Sequence, residues 1–298
     1  MVVGRRGSSI SSLRRIAARV FSSYSAPIHG IHVFQCPDVV GIVAKLSECI
    51  ASRGGNIHSI DVFVPGNKQV FYSRSEFVFD PVRWPRDVLD SDFLRLSRLF
   101  SAEKSIVRVP DVDPKYKIAV LASKQDHCLV DLLHRWQEGR LPVEISCVIR
   151  DMGFHITTYQ QLQEIKESRK FWNWLNRQIF LCSQDICRSC PENFWKLTVK
   201  MSLTFITAFS HHSRVEIPSK QAFDAGVKLI GATSHFVTEE LDAGPIIEQM
   251  VERVSHRDTL QSFVMKSENL EKQCLAQAIK SYCELRVLPY ESKKTVVF

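Results

Sequence analysis

The chain has 298 residues, 45% of them apolar, enough for one large or two modest packed domains. Its formal charge of +7 suggests a nucleic-acid binder. But Met1 to Gly30 holds five Arg and no acid, so taking five from seven leaves +2 for the remainder and removes that class. No run approaches the ~18 apolar residues of a membrane span, and nine Cys without a secretory signal read as reduced thiols.

The opening stretch, MVVGRRGSSISSLRRIAARVFSSYS, is rich in Arg and Ser, and the first acidic residue is Asp38. Ile10, Leu13, Ile16, Ala17, Val20 and Phe21 fall on one helical face, away from Arg14, Arg15 and Arg19. This is the composition of an organelle transit peptide, and Arg19-Val20-Phe21 before Ser22 resembles a mitochondrial processing site. The expectation is a mitochondrial protein with a transit peptide at residues 1–27; the alternative is a disordered basic tail.

Residues 28–112 read as a first domain. Ile31 to Gln35 is a short strand; Asp38 and Gly41 open a helix with Val40, Val43, Leu46 and Ile50 as its apolar face, and Gly54-Gly55 ends it. Strands follow at Asn56 to Val64 and Val70 to Phe79, joined by the turn Pro65-Gly66-Asn67. A second helix carries Phe93, Leu96, Leu99 and Phe100, and Ser105 to Val109 is the last strand. The order βαββαβ is ferredoxin-like. With Pro37-Asp38-Val39-Val40-Gly41-Ile42-Val43 and Gly54-Gly55-Asn56-Ile57 it resembles an ACT domain. That resemblance implies an amino-acid effector near the start of the first helix, with Asp38, Gly41 and Asn56 as candidate contacts, and a homo-oligomer through these domains. A purely structural dimerisation module is the alternative.

Residues 116–298 read as a second domain. Lys117 to Ala122 is a strand, His127 to Gln137 a helix with Leu129, Leu132, Leu133 and Trp136 inward, and Val143 to Ile149 a strand. This is a right-handed βαβ unit of a parallel sheet. Further on, Val227 to Ile230 and Ser234 to Val237 are apolar strand runs, the second carrying His235; Thr238 to Pro245 is a loop, because Gly-Pro stops either period. Ile246 begins the next strand, and Thr259 to Arg286 forms a helix with Leu260, Phe263, Val264, Leu270, Leu275, Ile279 and Tyr282 inward; Leu288-Pro289-Tyr290 ends it and a tail follows. The loop thus sets Asp242 beside a strand carrying His235. A carboxylate so placed takes a proton or positions water, or simply caps a turn.

Gly-Ala-Thr-Ser-His-Phe-Val (231–237) followed by Leu-Asp-Ala-Gly-Pro-Ile-Ile (241–247) resembles the formyl-folate family, formyltetrahydrofolate deformylases more closely than glycinamide ribonucleotide formyltransferases. The resemblance implies an α/β architecture: an ACT domain in front of a Rossmann-like formyltransferase domain. It implies Asp242 as the catalytic residue, with His235, Leu241, Gly244, Pro245 and Ile246 around the substrate. That substrate is 10-formyltetrahydrofolate, taken to tetrahydrofolate and formate in the one-carbon metabolism that serves purine biosynthesis, with no cofactor, no metal, no nucleic acid and no membrane. The loop Ser123-Lys124-Gln125-Asp126-His127 has no glycine and carries an acid. That disfavours a ribonucleotide phosphate there, which wants free backbone N–H groups at a helix start.

From Asp151 to Ala225 there is one glycine, Gly153, where an α/β enzyme turns on glycines at strand ends. The family's Val-Ile-Asn-Ile-His-His-x-Leu-Leu-Pro-Ser-Phe-Lys-Gly-Gly is missing. Yet permitted codons for Met201 through Glu216, read from the third base of the Met codon, give that motif throughout. Its Asn falls across Leu203 and Thr204, and its first His across Phe205 and Ile206. The expectation is a frame-shifted segment from about Asp151 to Ile217. On that reading the Cys182, Cys187 and Cys190 spacing, reminiscent of an iron–sulfur run, and the His211-His212 pair are accidents of frame. The alternative function is then a non-catalytic ACT-containing pseudoenzyme that binds an amino acid and dimerises.

Overall fold

A computed structural model describes residues 26–122, 127–150, 179–183, 204–211, 219–238, 243–291 and 293–298. Residues 1–25 of the expected transit peptide lie outside them. The chain divides into two compact units, Met1–Pro114 and Lys115–Phe298.

Unit 1 runs β1 (Ile28–Pro37), α1 (Ile42–Ser52), β2 (Asn56–Phe63), β3 (Val70–Phe79), α2 (Arg86–Leu99) and β4 (Lys104–Arg108). The sheet order is β2-β3-β1-β4, antiparallel at every pairing. Strand β3 inserts between β1 and β2, which is the split βαβ of a ferredoxin-like fold. Leu46 and Ile50 of α1 and Leu89, Phe93 and Leu96 of α2 close over Phe77 and Phe79 of β3, with Trp84 and Val109 filling the ends. Trp84 stacks on Phe93 with centroids 5.8 Å apart, and its indole N–H donates to Asp92 Oδ2 at 3.0 Å. Arg53 donates to both oxygens of the same carboxylate, at 2.7 and 3.1 Å, and Arg95 pairs with it too. His32 is fully buried beside Phe93, its Nε2 3.0 Å from Ser105 Oγ, and burial pushes its pKa down to about 3.

The first helix differs from the sequence reading. It begins at Ile42, so the buried stripe is Ile42, Leu46 and Ile50 at i, i+4 and i+8; Val40 and Val43 point to solvent. Gly41 stands just before it with φ 96 and open space around the position of a Cβ. The backbone angle, not crowding, calls for glycine there. In α2, Phe93 and Leu96 are inward as expected, while Leu99 is exposed at the last turn.

Unit 2 runs β5 (Tyr116–Ala122), α3 (His127–Gln137), β6 (Val143–Arg150), β7 (Ile179–Ser183), β8 (Thr204–His211), α4 (Ser219–Asp224), β9 (Leu229–Phe236), β10 (Ile246–Arg253) and α5 (Leu260–Cys283), then β11 (Val287–Pro289) and β12 (Thr295–Val297). The main sheet has the order β10-β9-β8-β7-β5-β6. Strands β6, β5, β7 and β8 are parallel, and β9 and β10 each run antiparallel to their neighbours. This is the Rossmann-like α/β layer the sequence implied. Ile118, Val120 and Val143 of the sheet pack with Leu129 and Leu132 of α3 and Leu275, Ile279 and Cys283 of α5. A second cluster under β9 joins Ala222, Ile230, Ala232, Phe263, Leu270 and Cys274. Thr259 caps α5 by accepting from the Ser262 N–H at 3.2 Å. At the other end Leu285 adopts φ 55, and the N–H groups of Leu285 and Arg286 bond back to Tyr282 and Ser281 at 3.0 and 2.8 Å, a Schellman close. The segment expected as a tail instead returns as a hairpin, β11 on β12, burying Val287, Leu288 and Val296.

Candidate active site

Strand β9 ends in a tight backbone lock. The Phe236 N–H donates to the Pro245 carbonyl at 2.9 Å. The His235 ring, 4% exposed, folds back so that Nδ1 donates to the Phe236 carbonyl at 2.8 Å. Gly244 lies against that same carbonyl: a Cβ there would stand 1.6 Å from the Phe236 oxygen, 2.7 Å from its carbonyl carbon and 3.2 Å from His235 Nδ1. No side chain fits, so this glycine is required by space. Pro245 is buried, Ile246 pairs with His235 across the β9–β10 ladder, and a bulge follows before Glu248. Ile246 is itself half exposed, its carbonyl accepting from Thr295 Oγ1 at 2.6 Å, while Ile247 turns into the core with α5.

The structure therefore brings His235, Gly244, Pro245 and Ile246 together at one end of β9. Leu241 and Asp242 lie outside the described residues; Asp242 precedes the locked Gly244 by two positions in the chain. Strand β8 supplies the neighbouring backbone, with Ile206 opposite Phe236 and Thr207 opposite His235.

The expected effector contacts separate. Asp38 is exposed and donates its N–H to the Gln69 carbonyl at 3.0 Å, next to Gly41 at the head of α1. Asn56 opens β2 opposite Val78, which also faces His29 near the start of β1, whereas Pro37 at the end of β1 faces Val70. Val70 and Val78 are eight positions apart on β3, roughly 26 Å at strand rise, so Asn56 sits at the far end of the sheet from Asp38. Helix α1 runs back along the strands, and the sequence reading, which had no register, missed this.

One constellation has no counterpart in the sequence reading. His127 Nε2 at the head of α3 meets Glu271 Oε2 of α5 at 2.7 Å, with Cys128 adjoining. The Cys128 side chain and the Glu271 carboxylate, outweighing burial, raise the imidazole pKa to about 10. The two partners are 144 residues apart, so no local spacing announces the pair.

A formyl transferase family model matches residues 216–279. The chain is 53% identical over 326 aligned positions to formyltetrahydrofolate deformylase 2, mitochondrial, of Arabidopsis thaliana, covering 99% of both chains. It is 56% identical over 286 positions to the Arabidopsis deformylase 1, mitochondrial, covering 91% of this chain and 88% of that one. Among solved structures, a formyltetrahydrofolate deformylase from Pseudomonas syringae superposes with a TM-score of 0.71 at 30% identity, over 96% of this chain and 99% of that one. With relatives this similar along nearly their whole length, and a Gly-Pro lock where the sequence motif demands one, the chain belongs to the formyltetrahydrofolate deformylase family.

Proposed function

We propose that the chain is built to hydrolyse 10-formyltetrahydrofolate in the mitochondrion, with Asp242 as the general base, and that residues from about Asp151 to Ile217 are translated out of frame. In the reaction Asp242 takes a proton from water as the water oxygen attacks the formyl carbon. The tetrahedral intermediate then collapses, the carbon–nitrogen bond breaks, and the proton passes to the leaving nitrogen, releasing formate and tetrahydrofolate. The lock at Gly244 is the observation that carries the assignment of the base. A loop meant to aim a carboxylate needs a rigid anchor beside it, and Gly244 is anchored main chain to main chain.

Three observations support the frame reading. The family model begins to match at residue 216, at the end of the segment read as out of frame. Alignment to the Arabidopsis deformylase 2 runs over 326 positions against the 298 residues of this chain, so at least 326 − 298 = 28 of those positions are gaps in this chain. And Ile206, at the site of the expected His codon, lies opposite Phe236, the residue on which the Gly244 lock is built. Restoring the frame would thus set the family's His beside the Asp242 loop. By the family resemblance the missing motif's His donates to the oxyanion or the leaving nitrogen and its Asn fixes the carbonyl; without an oxyanion donor the rate drops by roughly 10²–10³, and without general acid help by roughly another 10²–10⁴, so the polypeptide as translated should be close to inactive. For it the second reading applies, a non-catalytic protein whose unit 1 acts as an ACT-type module. Support for that comes from Gly41, which opens α1 with free space around it and exposed Val39 and Val40 beside it, a shape suited to an amino-acid effector, with unit 1 pairing in a homo-oligomer.

The test is sequencing of the transcript across Arg150 to Pro218 together with formate release by the purified chain and by its frame-restored counterpart. The expected result is release by the restored chain only, lost on Asp242→Asn. Brisk turnover by the chain as given, with the transcript confirming its sequence, would overturn the reading.

A further inference from the structure

Three donors of different chemistry converge where α3 begins. His127 and Cys128 are the first two residues of α3, and Glu271 lies midway along α5. Their donor atoms all fall within 4.8 Å of one another, each residue partly buried. Both helices are fixed by one core: Leu129 and Leu132 of α3 share a buried cluster with Leu275 and Ile279 of α5. An ion pair between His127 and Glu271 suffices to tie the helices, yet the cluster also sets a cysteine sulfur within reach of both, and imidazole, thiolate and carboxylate together are a donor set for a borderline-soft metal. We propose that His127, Cys128 and Glu271 bind a single transition-metal ion of the Zn²⁺ class, with water in the fourth position.

The donor set selects the metal. Mg²⁺ and Ca²⁺ take oxygen ligands, whereas imidazole, thiolate and carboxylate together suit Zn²⁺ or its surrogate Co²⁺. Bond lengths of about 2.0–2.3 Å put neighbouring donors of a tetrahedral zinc roughly 3.3–3.7 Å apart. The 2.7 Å contact between His127 and Glu271 must open, and the widest of the 4.8 Å set close, by about 1 Å or less. Glu271, reaching from α5 on a flexible side chain, supplies that adjustment.

Charge balances as well. With a protonated imidazole, a thiol and a carboxylate the cluster is neutral. Metal entry releases the N–H proton and the S–H proton, and Zn²⁺, thiolate and carboxylate again sum to zero. A partly buried site therefore exchanges two protons for the ion without accumulating charge.

The full-length chain is titrated with Zn²⁺ by equilibrium dialysis and with Co²⁺ by absorption spectroscopy, alongside the frame-restored chain, which carries the same three residues. The expected results are one added equivalent of metal and a thiolate-to-cobalt charge-transfer band. Cys128→Ser removes that band, and Glu271→Gln weakens binding at least tenfold at unchanged circular dichroism. A band that survives Cys128→Ser, or equal metal uptake by both proteins and their Cys128→Ser variants, overturns the proposal. Formate release is not the readout, so failure of the hydrolase reading and failure of this one are told apart.

Discussion

Replacing Gly244 with alanine tests the lock on which the active-site reading rests. The added Cβ would stand 1.6 Å from the Phe236 carbonyl oxygen, against about 3.3 Å for an ordinary carbon–oxygen contact. The shortfall exceeds 1.5 Å, and because it is main chain against main chain no rotamer change relieves it. The turn must move away from β9, and the 2.9 Å bond from the Phe236 N–H to the Pro245 carbonyl goes with it. Losing that bond costs about 1 kcal/mol and the overpacking about 1–3 kcal/mol more, so urea unfolding of the variant should show a loss of about 2–4 kcal/mol. For catalysis the consequence is displacement of the loop two residues from Asp242. In the frame-restored chain formate release should fall by about 10²-fold, mostly in kcat. A Gly244→Ala protein with unaltered urea midpoint and unaltered formate release would refute the argument that this glycine is there for space.

Asp92→Asn should destabilise unit 1 by about 2 kcal/mol, less than a fully buried pair because Arg53 and Arg95 are themselves solvent-exposed. Burial alone would raise the Asp92 pKa, but hydrogen bonds from Arg53 and Trp84 and the two guanidinium charges together bring it below the usual range. Its contribution is present above the unfolded value near 3.9 and fades as pH falls below that, so an acid titration of stability should lose its lowest leg in the variant. His127 works in the opposite sense. Its pKa is raised to about 10, so its stabilisation is full below about pH 6.5 and fades toward pH 10. Urea unfolding should lose stability between pH 7 and pH 10 in the wild type, and lose less of it in Glu271→Gln, where Cys128 remains as the other group that raises the imidazole pKa. Thr259→Ala removes the acceptor for the Ser262 N–H and should lower stability by about 1 kcal/mol in a chemical unfolding curve.

The elements of unit 1 were legible because the two periods alternate cleanly and Gly54-Gly55 marks a boundary. What the sequence concealed was which face of α1 turns inward. Val40 and Val43 satisfy a helical spacing as well as Ile42 does, and only the start at Ile42, set by the left-handed Gly41, decides between them. The hairpin of β11 and β12 was legible in principle, since Val287-Leu288 and Val296-Val297 are apolar runs on either side of a polar stretch, but runs of two or three residues carry little signal. The need for a break at Gly244-Pro245 could be read; the Phe236 carbonyl that makes it indispensable could not, because it comes from another strand. Asn56 shows the same limit, its distance from Asp38 being a matter of register alone.

Strand β8 occupies its slot between β7 and β9 through N–H and carbonyl groups that any residue except proline can offer. Thr204–His211 contains no proline, and the family motif that would replace it brings its proline only across Ser210 and His211, at the last positions of the strand. The slot is a template that does not inspect the message. On the proposed frame reading, such a polypeptide would forfeit chemistry before it forfeits its sheet.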